Sequence, residues 1–223
     1  MRTLALSRRP VRSAALSVRE ARVLWRIAAL LLDYPSPQTL AMTGQLAAAA
    51  TELPAVVRAP ILDFLEEFSC ADPLQLAARY VETFDMRRRA CLHLTYYAYG
   101  DTRKRGMALL RFKHAYRQAG MAMGDDELPD YLPLVLEFAA TVDQLQGERL
   151  LSEHVPVLEL LRLSLLDSGS PYAGVVAAIL ATLPAISTAD RRRIAELAAQ
   201  GPPDEDVGLE PFAMDPLTVG SRR

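Results

Sequence analysis

Side chains able to carry chemistry are sparse in this sequence. The three histidines are His93, His114 and His154, and none stands three residues after a glutamate. The Glu-x-x-His pattern that holds di-iron centres in helical bundles is therefore missing, and no His-Glu-x-x-His zinc motif occurs. Cys91-Leu92-His93 offers two soft ligands, but a zinc site takes more protein donors than this neighbourhood supplies. These side chains are expected to be buried and inert. Gly100-Asp-Thr-Arg-Lys-Arg-Gly106 has the glycines of a phosphate-cradling loop, yet it lacks the Gly-Lys-Ser/Thr ending and no strand leads into it. The simpler assignment makes Gly100 the residue that closes one helix and Asp101 the cap of the next. A G-x-S-x-G nucleophile elbow is absent. The expectation is a protein that binds a partner, with no catalytic residues, cofactor or metal of its own.

The elements that must position these residues are helical. Apolar residues make up 51% of the 223 and charged residues 23%, values that suit one medium globular domain. A net charge of −2 gives the whole molecule no pull toward nucleic acid or an anionic membrane. Cys70 and Cys91 form no C-x-x-C pair or disulfide framework, which fits a reducing compartment. The apolar stretch 174–186 is interrupted by Pro184 and is too short for stable membrane insertion. Ser7-Arg8-Arg9 resembles a twin-arginine signal, but Pro10 and Arg12 follow and no apolar core comes next. Residues 1–16 are expected to be a flexible basic arm, and the protein to be cytoplasmic.

Ser17 and Glu20 form a capping box for a first helix, with Leu24, Ile27, Ala28 and Leu31 on one face and Arg19, Arg22 and Arg26 on another. Ser36-Pro37, Asp72-Pro73 and Ser170-Pro171 each place a cap before proline at a first helical position. Pro60 is expected to start a helix running to Ser69. Further helices are expected over 102–119, 131–146, 153–167, 171–183 and 188–200. In the second of these, Val135, Phe138, Val142 and Leu145 share a face, with Glu137 opposite. The 153–167 helix is apolar nearly all round, so it is either central in a bundle or the floor of a greasy groove. The sum is an all-α, single-domain bundle of eight to ten helices over 17–200, followed by a disordered polar tail, 201–223.

Charge is unevenly spread. From Arg79 to Arg117 there are ten Lys/Arg and three Asp/Glu, whereas Gly120 to Leu160 holds nine Asp/Glu and one Arg. Either the two stretches attract each other within the bundle, or the acidic one offers a surface to a basic amphipathic partner helix.

Four linked motifs sharpen this. Tyr80-Val-Glu-Thr-Phe-Asp85, Leu94-Thr-Tyr-Tyr97, Gly100-Asp-Thr-Arg-Lys-Arg-Gly-Met-Ala-Leu109, and Glu127-Leu-Pro-Asp130 with Leu136-Glu-Phe138 closely resemble the nitrate reductase assembly chaperones of the NarJ type. These belong to the wider TorD/DmsD group. The resemblance is dense over 80–140, the helix order agrees over most of 18–200, and Val207-Gly-Leu-Glu-Pro-Phe212 is similar to the family's C-terminal end. It implies a chaperone for the apo catalytic subunit of a membrane respiratory nitrate reductase, bound chiefly through that subunit's N-terminal segment. Such a chaperone assists insertion of the molybdenum cofactor, which belongs to the client.

The resemblance points to Glu127, Pro129, Asp130, Tyr131 and Glu137 as client-binding, with Phe84, Tyr97, Arg103 and Arg105 as further candidates. In the wider group a Pro-Asp-His element is associated with client leader peptides; here Tyr131 replaces the histidine, keeping a ring that stacks and one hydroxyl that donates. Each candidate also has a purely structural role open to it. Asp130 caps the following helix, Glu137 is solvated, Arg103 and Arg105 pair with Asp85 or Glu82, and Phe84, Tyr96 and Tyr97 belong to the core. Two competing functions stay open at this point: a chaperone whose client is a different molybdenum oxidoreductase, and an enzyme handling a nucleotide or the molybdenum cofactor at 100–106.

Overall fold

Ser17 accepts from the Glu20 N–H while the Glu20 carboxylate accepts from the Ser17 N–H, so the first helix starts with two otherwise orphaned donors satisfied. The computed structural model describes residues 16–100, 102–124 and 128–201. Among them run α1 (Val18–Leu32), α2 (Pro37–Ala41), α3 (Thr43–Thr51), α4 (Ala55–Cys70) and α5 (Pro73–Tyr80). A π-turn (Val81–Asp85), a 3-10 turn (Arg88–Ala90), α6 (Tyr96–Tyr99) and α7 (Arg103–Gln118) follow. The chain continues through α8 (Leu132–Thr141), α9 (Gln144–Glu153), α10 (Val155–Asp167), α11 (Tyr172–Leu180) and α12 (Thr188–Gln200). The bundle is all-helical as expected, with twelve α-helices among the described residues where eight to ten were anticipated. Residues 1–15 of the expected arm and 202–223 of the tail lie outside the described residues, and Leu16 packs against the core.

Helix α1 organises the core. It packs chiefly on α8, and also on α11 and α3, burying Leu24, Trp25, Ala28, Leu31 and Leu32 completely. Two polar bonds fix its position. The Trp25 indole donates to Thr182 Oγ1 at 2.9 Å, and Arg22 Nε donates to the Ala140 carbonyl at 2.7 Å, placing a cation on the open carbonyl end of α8. On the far side α11 packs on α4 and α10, and α10 packs on α12. Helix α10 buries Val155, Val157, Leu158, Leu161 and Leu165, while Leu163 and Leu166 stay 43% and 53% exposed, so it is a core helix with one open side. No described helix is long and apolar enough to cross a membrane.

Three helix assignments change. Pro60 lies inside α4, which begins at Ala55. The packing of α11 holds it there, because Gly174 sits so close that an added Cβ would meet Pro60 Cβ at 3.2 Å. The stretch 131–146 is two helices. Asp143 accepts from the Gln146 N–H and restarts the chain as α9, and Gly147 then lies against Ala139, where a Cβ would come within 2.3 Å of the Ala139 Cβ. The break turns Val142 and Leu145, expected in the core beside Val135 and Phe138, out to 47% and 76% exposure. Finally, Ser170 does not cap α11, whose N-cap position falls to Pro171.

Candidate functional site: a groove between α1 and α8

A groove of about 610 Å3 runs between α1 and α8. Helix α1 contributes Arg26, Ala29 and Leu30 and its C-cap contributes Asp33, at a spacing that puts them on one stripe. Helix α8 contributes Pro133, Leu134 and Glu137, and His93, Leu128 and Tyr131 close the end. Arg26 and Glu137 form an ion pair from opposite walls.

The closed end is built by two remote segments pinned together. His93 and Tyr131 form an isolated antiparallel bridge, in which the Leu94 N–H donates to the Asp130 carbonyl at 3.0 Å and the Leu132 N–H to the Leu92 carbonyl at 2.9 Å. Beneath it Asp130 is fully buried. Its carboxylate accepts from the Thr95 N–H at 3.0 Å and the Thr95 hydroxyl at 2.5 Å. His93 Nδ1 lies 3.2 Å away and Arg105 Nη2 3.7 Å away. Burial alone would raise the Asp130 pKa, but the hydrogen bonds from His93 and Thr95 and the charge of His93 outweigh it and hold the carboxyl below its ordinary value.

Tyr131 closes the groove with a second network. Its hydroxyl lies 3.0 Å from the Tyr80 hydroxyl and 3.1 Å from Asp33 Oδ1, while the Tyr80 hydroxyl reaches the Leu32 carbonyl at 3.0 Å. Burial raises both phenol pKa values, so each keeps its proton.

The structure thus brings together Tyr131 and Glu137 in the wall, with Pro129 and Asp130 directly behind it. The Pro129 carbonyl accepts from the buried Tyr116 hydroxyl at 2.7 Å. Asp130 does not cap α8, whose N-cap position is Tyr131. Arg105 pairs with Asp130, not with Asp85 or Glu82, because the first turn of α7 aims it inward; Glu82 pairs with Arg87 instead. Phe84 sits in an aromatic cluster, 4.8 Å from both Tyr80 and Tyr172 between ring centres. Tyr97 is buried in a separate small core with Val157, Leu160 and Leu197, and Arg103 is exposed at the start of α7. Gly100, with φ 52°, closes α6 as expected; Glu127 and the Asp101 cap lie outside the described residues, and Thr102 takes the N-cap position of α7.

Sequence reasoning missed Arg26, Asp33 and His93 as groove residues. The stripe Arg26, Ala29, Leu30, Asp33 was the available signal for the first two, since it flanks the buried face of α1; His93 carries none. The described carboxylates of the acidic stretch have local partners. Glu153 pairs with Arg111 and Arg149, Glu159 with Arg162, and Glu148 accepts from Gln144. Attraction between the basic and acidic stretches is seen in Arg111–Glu153 and Arg105–Asp130, and the other contacts are local to one helix.

Chemically the groove combines apolar walls with a few fixed polar groups. His93 oriented by buried Asp130 has the geometry of a base and its orienting acid, but no serine, threonine or cysteine is among the groove's described lining residues to be activated. No group of three His, Cys, Asp or Glu among the described residues could hold a metal ion.

The comparisons agree with this architecture. Residues 45–178 match the model of the nitrate reductase delta subunit family. The chain is 46% identical over 165 residues to the nitrate reductase-like protein NarX of Mycobacterium tuberculosis, covering 72% of this chain but only 24% of that protein. Against the nitrate reductase molybdenum cofactor assembly chaperone NarJ of Escherichia coli it is 33% identical, over 85% of this chain and 79% of the relative. A crystal structure of a putative redox enzyme maturation protein from Archaeoglobus fulgidus shares the fold, with TM-score 0.54 and 21% identity over 77% of this chain and 97% of that one. Matched over more than half its length by the family model, and over most of its length by a relative, the chain belongs to the nitrate reductase delta subunit family.

Proposed function

We propose that this protein is a cytoplasmic assembly chaperone for the apo catalytic subunit of a membrane respiratory nitrate reductase. It takes the subunit's N-terminal segment in the α1–α8 groove, assists molybdenum cofactor insertion, and performs no catalysis itself. The observation that carries the proposal is the position of Tyr131 and Glu137: two of the residues to which the family resemblance points line one groove, opposite Arg26 and Asp33. Apolar walls with a few fixed polar groups suit a peptide segment, and a modest interface lets a folding client leave. The NarX-type relative is far longer than this chain, so the client assignment leans on the relative named as an assembly chaperone. The 100–106 loop gives little support to a nucleotide site, because Arg105 is committed to Asp130.

The test is calorimetry with a synthetic N-terminal segment of the catalytic subunit and with the apo-subunit. Saturable binding that weakens as salt rises, and is lost in Leu134→Arg with the fold intact by circular dichroism, is expected. No binding of either form would end the proposal, and unchanged affinity in Leu134→Arg would move the site elsewhere.

A further inference from the structure

Helix α7 carries both lysines of the chain, Lys104 and Lys113, and no acidic residue. Arg105 turns inward and Arg111 pairs with Glu153, but among the described residues no carboxylate pairs with Arg103, Lys104, Lys113 or Arg117, all of them exposed. Met107 and Leu110 stand among these cations at 70% and 55% exposure. One helix therefore offers water four cations and two large apolar side chains, a mixed face of the kind that marks an interaction surface. Alongside lies a shallow groove of about 900 Å3 whose walls include Tyr99, Lys104, Met107 and Arg111.

The described chain ends beside the short helix that leads into α7. Leu197, in the last turn of α12, shares a small core with Tyr97 of that helix, α6, and Gly201 closes α12 about 6 Å further along the helix axis. The sequence that follows has the complementary character. Residues 202–215 hold Asp204, Glu205, Asp206, Glu210 and Asp215 with no cation, interspersed with Val207, Leu209, Phe212 and Met214. At about 3.3–3.6 Å per residue, an extended chain reaches about 10 Å in three residues and about 40 Å in eleven.

We infer that segment 202–215 docks in cis on the outer face of α7, its carboxylates against Lys104, Lys113 and the neighbouring arginines and its apolar residues over Met107 and Leu110. The basic arm 1–16 has the wrong sign for this face, with Arg2, Arg8, Arg9 and Arg12. Attachment in the same chain supplies an effective concentration of about millimolar order, so modest complementarity is sufficient. The inference needs no client and stands or falls apart from the α1–α8 groove.

The lysine count makes it testable on the unaltered full chain. Carbodiimide condenses a carboxylate and an amine into an amide, with loss of water, only where the two touch, and Lys104 and Lys113 are the only side-chain amines present. Peptide mass spectrometry should find links from Lys104 or Lys113 to Asp204, Glu205, Asp206 or Glu210. Their yield should not depend on protein concentration, should fall several-fold in about 1 M salt, and should vanish in D204N/E205Q/D206N/E210Q. Links confined to carboxylates of the folded body, such as Glu153, would overturn the inference. So would links only between molecules, rising with concentration, which would assign the face to a second copy. Equal lysine acetylation rates in the parent and the neutralised variant would overturn it as well, leaving the face to an acidic partner.

Discussion

The α1–α8 groove and the outer face of α7 both carry charge and apolar surface, but they use charge in opposite ways. In the groove each charge is fixed: Arg26 by Glu137, Asp33 by Tyr131, and Asp130, behind the wall, by Thr95, His93 and Arg105. On α7 the cations at 103, 104, 113 and 117 have no carboxylate among the described residues. Fixed charges shape a surface and hold it still, whereas unpaired charges attract at range and are screened by salt. A groove of fixed charges and a helix face of cations without described carboxylate partners thus occupy the same bundle.

The largest effect should come from the buried end of the groove. Asp130→Ala leaves Arg105 and the Thr95 donors without their acceptor, and should cost about 3–5 kcal/mol of unfolding free energy in urea titration. A loss under about 1 kcal/mol would mean the network is ornamental and the groove wall is held by packing alone. Next is the seam behind α8. Gly147→Ala forces a methyl into Ala139 and should lower stability by about 1–3 kcal/mol, read as a lower thermal midpoint; an unchanged midpoint would show that α9 swings clear at no cost.

Acid separates the two regions further. The folded-state pKa of Asp130 lies below its ordinary value of 3.8, so on acidification the unfolded chain takes up that proton first. The stabilisation is complete above the unfolded value and is lost as pH falls through the folded one. Stability of the parent should drop below about pH 4, and Asp130→Asn should flatten that part of the profile; parallel profiles would contradict the assignment. The rim should matter least to stability. Arg26 and Glu137 are 46% and 31% exposed, so a double-mutant cycle should give a coupling of about 0–1 kcal/mol for folding, and a larger one for client affinity if the groove is the docking site.

Local chemistry was legible in the sequence, and tertiary decisions were not. The Ser17–Glu20 box, the Ser36-Pro37 and Asp72-Pro73 starts and the Gly100 stop all concern neighbouring residues, and all stand in the structure. The break after Thr141 was hidden because Val142 and Leu145 continue the apolar period; what ends the helix is Asp143 as a cap and the fit of Gly147 on Ala139. Pro60 was misplaced because its helix-breaking cost counts only local bonds, while its packing partner Gly174 is far along the chain. The site was half legible. Tyr131 and Glu137 were marked by resemblance to a family, yet the burial of Asp130 was not, since its partners His93 and Thr95 are 37 and 35 residues away. An aspartate after proline reads as a turn or a cap until those partners close over it.

The position of α1 has a consequence for how the chain is born. Its apolar stripe finds its main cover in α8, which begins at Leu132, and its tryptophan bonds to Thr182, 157 residues on. At a synthesis rate of about 5–20 residues per second, the stripe leaves the ribosome roughly 5–20 s before that cover exists. Until then the stripe stands uncovered on the growing chain, and the early-made α3, which packs on α1 in the finished fold, is the element available to shelter it.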